Sequence, residues 1–60
     1  MNNRMLLDVP EAAEVSNVGP AKIREEIAAG RLAARRLGKR VLITVEDLRM
    51  WIDNLPRVAA

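Results

Sequence analysis

The chain contains no cysteine and no histidine. Without cysteine, no disulfide or thiolate metal site can brace a domain this short. Without histidine, the commonest metal ligand and the commonest general base are both missing. Ser16 therefore has no imidazole to activate it, and the carboxylates stand at helix starts, where capping and dipole effects account for them. Gly38-Lys39 lacks the rest of a glycine-rich phosphate cradle. These absences argue against an enzyme and imply neither metal nor cofactor. No apolar run approaches the roughly 18 residues of a membrane span. Residues 1–7, with one arginine and a very short apolar patch, are too little for a signal peptide. A cytoplasmic protein is expected, with no membrane partner. Repeats, low-complexity stretches and linkers are also missing, so residues 1–60 read as a single domain.

Half of the residues are hydrophobic, enough for a compact core. A chain of this length buries only about 60% of its unfolded surface and is marginally stable alone. The net charge of +2 says little, but its distribution says more. Residues 17–40 hold Lys22, Arg24, Arg31, Arg35, Arg36, Lys39 and Arg40 against Glu25 and Glu26, while both flanking segments are slightly acidic. A small domain polarised in this way suits a polyanion on one face.

The chain is dense with start and stop signals. Asp8 followed by Glu11 reads as a capping box, with Pro10 tolerated in the first turn of a helix over residues 9–15. The small residues Ala12 and Ala13 on its inner face admit a close neighbour. Ser16-Asn17-Val18-Gly19 is a break, with Val18 plugging the corner. Pro20 opens a second helix over residues 20–29, with Ile23 and Ile27 inward and Gly30 as a left-handed cap. Two short helices joined by a glycine-containing turn match the helix-turn-helix pattern.

From Leu32 the periodicity changes to that of a β-hairpin around Gly38-Lys39-Arg40. A three-residue loop pairs Leu37 with Val41 and Arg35 with Ile43; a two-residue loop reverses the facing of Arg35 and Arg36. Thr44 then caps a third helix, in which Leu48, Trp51, Ile52 and Leu55 form the clearest amphipathic stripe. Trp51, the only aromatic residue, could stack on a base, but its place in that stripe favours a core anchor. Pro56 ends the helix, and residues 57–60 are expected to fray. The fold class is α+β, in the order helix, helix, hairpin, helix.

The second helix is the candidate reader of DNA. With Ile23 and Ile27 inward, Ala21, Arg24, Glu25 and Ala28 lie outward and Lys22 lies on a flank. Arg24 is suited to a guanine edge or a phosphate, Lys22 to a phosphate, and the backbone near Pro20 and Ala21 to a phosphate at the helix start. Glu25 either faces away or reads a cytosine amino group; Glu26, nearer the isoleucines, faces away. Arg35, Arg36, Lys39 and Arg40 cluster on the hairpin, where a basic ribbon can reach an adjacent groove.

The run Leu6-Leu7-Asp8-Val9-Pro10-Glu11-Ala12-Ala13-Glu14 resembles the opening of MerR-like, excisionase-type winged helix-turn-helix domains. So do the segment from Gly30-Arg31-Leu32 to Val41-Leu42-Ile43, then Glu46-Asp47-Leu48 and Trp51-Ile52. The resemblance covers roughly residues 6–55. It implies a second helix in the major groove and a wing against the neighbouring minor groove. Lys22, Arg24, Arg36, Lys39 and Arg40 match its contact positions. The chain departs from the pattern at Gly19, Pro20 and Ala21, where polar residues are usual, which shifts weight toward phosphates and DNA shape.

Lacking the long dimerising helix of full-length MerR regulators, the chain looks most like a phage excisionase. Such factors bind direct repeats cooperatively, bend the DNA and steer a tyrosine integrase toward excision. A head-to-tail contact between the acidic first helix and a neighbour's wing would serve that cooperativity. A small transcriptional regulator with the same domain is the alternative. A protein-interaction adaptor, docking a partner through the Leu48/Trp51 helix, is a third reading.

Overall fold

A computed structural model describes residues 4–59. The elements are β1 (Leu6–Asp8), α1 (Val9–Ser16), α2 (Pro20–Ala28), β2 (Arg35–Leu37), β3 (Arg40–Thr44) and α3 (Val45–Asp53). The strands form one antiparallel sheet in the order β1-β3-β2.

Local chemistry sets the helix boundaries. The Asp8 carboxylate accepts the Glu11 N–H at 2.8 Å, and the Glu11 carboxylate accepts the Asp8 N–H at 3.0 Å. This is the capping box, and it satisfies two N–H groups that the helix leaves open. Asn17, with φ 60°, ends α1 in the left-handed region, which asparagine tolerates better than most residues. Gly30, with φ +79°, closes α2 as expected. Its N–H donates to Ile27 O at 3.0 Å, and the Arg31 N–H donates to Glu26 O at 3.0 Å, the paired bonds of a Schellman turn. Thr44 Oγ1 accepts the Asp47 N–H at 2.9 Å and opens α3.

Two features differ from the sequence expectation. The segment before the first helix carries a strand, β1, paired with β3 through Leu6–Thr44, Leu7–Ile43 and Asp8–Leu42. Three residues are too few to display a strand period, and the last of them is also the helix cap. The hairpin turn is Gly38-Lys39, two residues rather than three, with Leu37 opposite Arg40, Arg36 opposite Val41 and Arg35 opposite Leu42. Gly38 has φ +62° at the first central position, the geometry that matches a two-residue turn to strand twist. A shift of one residue exchanges the two faces. Arg36 therefore shares a face with Val41, Ile43 and Leu7, and Arg35 shares the other with Leu42.

The core comprises Leu7, Val9, Ala12, Ala13, Ile23, Leu32, Ile43, Leu48 and Trp51, with Val18 and Ile27 packed at its edge. Val18 plugs the corner between α1 and α2, and Trp51 is a core anchor, as the spacing predicts. The third helix is shorter and its stripe narrower than expected: it ends at Asp53 and not at Pro56, Ile52 is 40% exposed, and Leu55, 41% exposed, lies beyond the helix end. Residues 57–59 are exposed and outside regular structure; Ala60, with residues 1–3, lies outside the described residues. The whole is a small α+β winged helix-turn-helix.

One carboxylate joins the elements. Glu26 is buried, at 5% exposure, on the inner side of α2. Its Oε2 accepts from Arg31 Nε at 2.9 Å and Nη2 at 2.6 Å, and its Oε1 accepts from Trp51 Nε1 at 3.1 Å. The Arg31 hydrogen bonds, then the Trp51 bond, hold the Glu26 carboxyl down at about 2 against the opposing effect of burial. The same pair raises the Arg31 guanidinium above its ordinary value.

A carboxyl depressed in the folded state stabilises above its unfolded pKa and loses that stabilisation as pH falls. The Glu26 contribution is therefore complete above pH 4.5 and lost progressively toward about 2. Unfolding followed by Trp51 fluorescence should show wild type losing stability more steeply than Glu26→Gln across that window. Equal steepness would show that the carboxylate does not carry the effect.

Candidate nucleic-acid interface

Two elements carry the candidate residues. On α2, Pro20, Ala21, Lys22, Arg24 and Glu25 are exposed, whereas Ile23 and Glu26 are buried. Glu26 turns away from the outer face, as its position beside the isoleucines implies. Residues 17–19 join α1 to α2. Unlike α1 and α3, α2 has no side-chain cap: Gly19 precedes Pro20 and offers none. The backbone N–H groups at its start thus meet no side-chain acceptor, and no Cβ at Gly19 stands in front of them.

On the wing, Arg35, Arg36, Lys39 and Arg40 are all exposed. Arg24 lines a hollow of about 360 Å³ with Val9, Ile27, Ala28 and Val41, which places it across that hollow from the base of the wing. Arg36 stands directly opposite Val41 on the same sheet face. Arg24 from the helix and Arg36 from the wing therefore flank one residue, Val41. This juxtaposition follows from the two-residue turn; the three-residue turn would have placed Leu37 opposite Val41 and Arg35 opposite Ile43.

The basic residues divide by their partners. Lys22 Nζ lies 3.4 Å from Glu25 Oε1 and 3.9 Å from Glu26 Oε2, so its charge is shared with two carboxylates on its own helix. That pairing also occupies Glu25. Arg35 Nε lies 4.0 Å from Asp47 Oδ2, a buried oxygen with no hydrogen bond of its own, which draws Arg35 toward the start of α3. Arg31 is held by Glu26. Arg24, Arg36, Lys39 and Arg40 have no ion-pair partner among the described residues.

Sequence reasoning grouped these cations together because a linear pattern shows charge and not its neutralisation. It did not single out Arg31 as the partner of Glu26. The one signal was Gly30, whose left-handed turn brings a residue five positions along back over the helix end. No group of carboxylates among the described residues is arranged to hold a metal ion. No helix among the described residues is long and apolar enough to cross a membrane.

Comparison with curated proteins and with solved structures gives no match. A family model described as "Helix-turn-helix domain" matches residues 6–56. That span contains β1, the α1–α2 unit, the wing and α3, and with them every residue of the candidate interface. The match points to DNA binding, and over this much of its length the chain belongs to the helix-turn-helix domain family.

Proposed function

We propose that the protein is a sequence-specific, architectural DNA-binding protein of the excisionase kind. In this reading it binds direct repeats, bends the duplex and directs a tyrosine integrase to excision in the cytoplasm of a bacterial host. The observation that carries the DNA half is the pair Arg24 and Arg36. They come from two elements, flank Val41 and have no ion-pair partner among the described residues. The excisionase half is supported by the resemblance of residues 6–55 and by a matched family that includes excisionase-like DNA-binding proteins.

Helix α2 lies in the major groove, where the small Pro20 and Ala21 permit close approach. The uncapped N–H groups there meet a phosphate, and Arg24 meets a guanine edge or phosphate. Lys22 serves a phosphate by exchanging its intrahelical carboxylates for it. Glu25, once released, is the group available to a cytosine amino donor. Arg36 enters the adjacent minor groove, with Lys39 at the wing tip and Arg40, on the opposite sheet face, on the backbone; arginine is favoured where that groove narrows. The helix start offers few base-reading side chains, so DNA shape and bendability carry more of the selectivity, which suits an architectural protein.

Cooperative self-association through the acidic first helix would rest on Glu14. Glu11 is already committed to the cap and to an ion pair with Arg4.

Each phosphate contact contributes about 0.9 to the slope of log affinity against log salt. Arg24→Ala and Arg36→Ala should weaken binding by about 1–3 kcal/mol each if they reach bases, or flatten the slope by about one contact if they reach phosphates. Arg35→Ala should do less than Arg36→Ala, because Asp47 draws it to the other face. Equal losses at positions 35 and 36 would sink that assignment.

On a fragment carrying an attachment site, stepwise and salt-sensitive complexes with a bent-DNA signature are expected, together with integrase-dependent excision. Binding confined to a promoter would instead identify a transcriptional regulator. Absence of DNA binding at any site would refute the proposal.

A further inference from the structure

Leu37 is the last residue of β2, stands opposite Arg40 and precedes the Gly38-Lys39 turn of the wing. β2 is an edge of the sheet. The Leu37 side chain is 62% exposed and belongs neither to the core nor to the hydrophobic residues packed against it. A Cβ added at Gly38 would meet nothing within 4 Å among the described residues, so the tip of the wing stands clear of them. By contrast, Leu48 and Trp51, the residues that an adaptor would use to dock a partner, are buried.

A single exposed leucine has no meaning by itself. The surroundings of this one give it a meaning. Its neighbours in the wing are Arg36, Lys39 and Arg40, and none of them has an ion-pair partner among the described residues. The sequence holds no Asp or Glu from residue 27 to residue 45. Two carboxylates approach the wing from elsewhere in the chain: Asp47 beside Arg35, and Asp8 opposite Leu42. Both belong with the Arg35–Leu42 rung, two residues back from the Leu37–Arg40 rung, and the Asp8 carboxylate is committed to the Glu11 N–H. An apolar side chain ringed by unpaired cations fits a surface that is anionic along its rims and apolar within. The minor groove of DNA is such a surface, with phosphates on both rims and stacked bases between them.

We infer that Leu37 is a wedge, entering the minor groove at one base step, partly unstacking it and kinking the duplex toward the major groove. The inference rests on the proposed DNA binding and names the side chain that performs the bend. Arg40, directly opposite, meets a phosphate beside the opened step. Leu37 and Arg36 point to opposite faces of the ribbon, so the arginine lies in the narrow stretch of the groove and the leucine at its opened end. Pyrimidine–purine steps unstack most easily, so Leu37 makes one step selective without a hydrogen bond to any base. Bending is then separable from the phosphate contacts.

The test uses the full chain and single-site duplexes that the wild-type chain selects from a randomised pool. 2-Aminopurine is placed in turn at each step of the minor groove that footprinting assigns to the wing. One step should brighten on binding, and energy transfer between the duplex ends should report a bend. Leu37→Ser should abolish the brightening and most of the bend. Leu37→Met, which keeps an apolar side chain of similar volume, should retain both. Wild type should favour a pyrimidine–purine step over an A-tract at that position by about fivefold or more, and Leu37→Ser should bring the ratio toward one. The salt slope should not change, because no phosphate contact is removed. Thermal unfolding followed by Trp51 fluorescence should not separate the variants, since Leu37 lies outside the core.

Bend, brightening and step preference unchanged in Leu37→Ser would overturn the inference and leave the DNA reading standing. A flattened salt slope in that variant would also overturn it, by making Leu37 a support for a cation. So would an unchanged bend on one site with lost assembly on two, which would set Leu37 against a neighbouring copy. Loss of binding to anionic lipid vesicles with DNA bending intact would overturn it in favour of a membrane surface. A wild-type chain that selects no duplex would refute the proposed function and the wedge with it.

Discussion

Glu26 is the group on which the arrangement depends. Its two oxygens join α2 and the turn after it to α3, 25 residues further along the chain. The arrangement is stable because one carboxylate meets a two-pronged cation on one side and an indole donor on the other. Without the cation, a buried carboxylate would be driven to its neutral form; without the carboxylate, the Trp51 N–H would be buried unpaired. The hydrophobic residues pack the elements together, and the Glu26–Trp51 hydrogen bond ties α2 to α3. The outer face of α2 is presented from this fixed base.

The legible parts of the fold were those written in adjacent residues. Asp8 and Glu11, Gly19 and Pro20, Gly30, and Thr44 each act within a helical turn, and each performs the expected task. The illegible parts depend on residues far apart. Strand β1 exists because β3 is there to receive it, and nothing in Leu6-Leu7-Asp8 announces that partner. The hairpin register turned on one residue: Gly38-Lys39 and Gly38-Lys39-Arg40 both read as sound turns, yet they assign opposite faces to Arg35 and Arg36.

The same distinction separates the cations. By composition, residues 17–40 form one basic segment. In three dimensions, three of its seven basic residues face carboxylates: Lys22 on its own helix, Arg31 across a turn and Arg35 toward α3. The remaining four are Arg24, Arg36, Lys39 and Arg40. A polyanion competes with existing partners at the first three and not at the last four, so the segment's charge overstates the electrostatic field it offers.

Both strand-to-helix passages occur without a loop. Asp8 ends β1 and caps α1, while Thr44 ends β3 and caps α3. Asp8 stands opposite Leu42 and Thr44 opposite Leu6, so the two passages leave opposite ends of the same short antiparallel ladder. There is no slack at either, and a single inserted residue would break a cap and shift a register together. Slack exists in the corner at 17–19, in the stretch at 29–34 and at the wing tip. Added residues are accommodated most readily at those places, and the wing is the one where they alter reach without moving either helix of the pair.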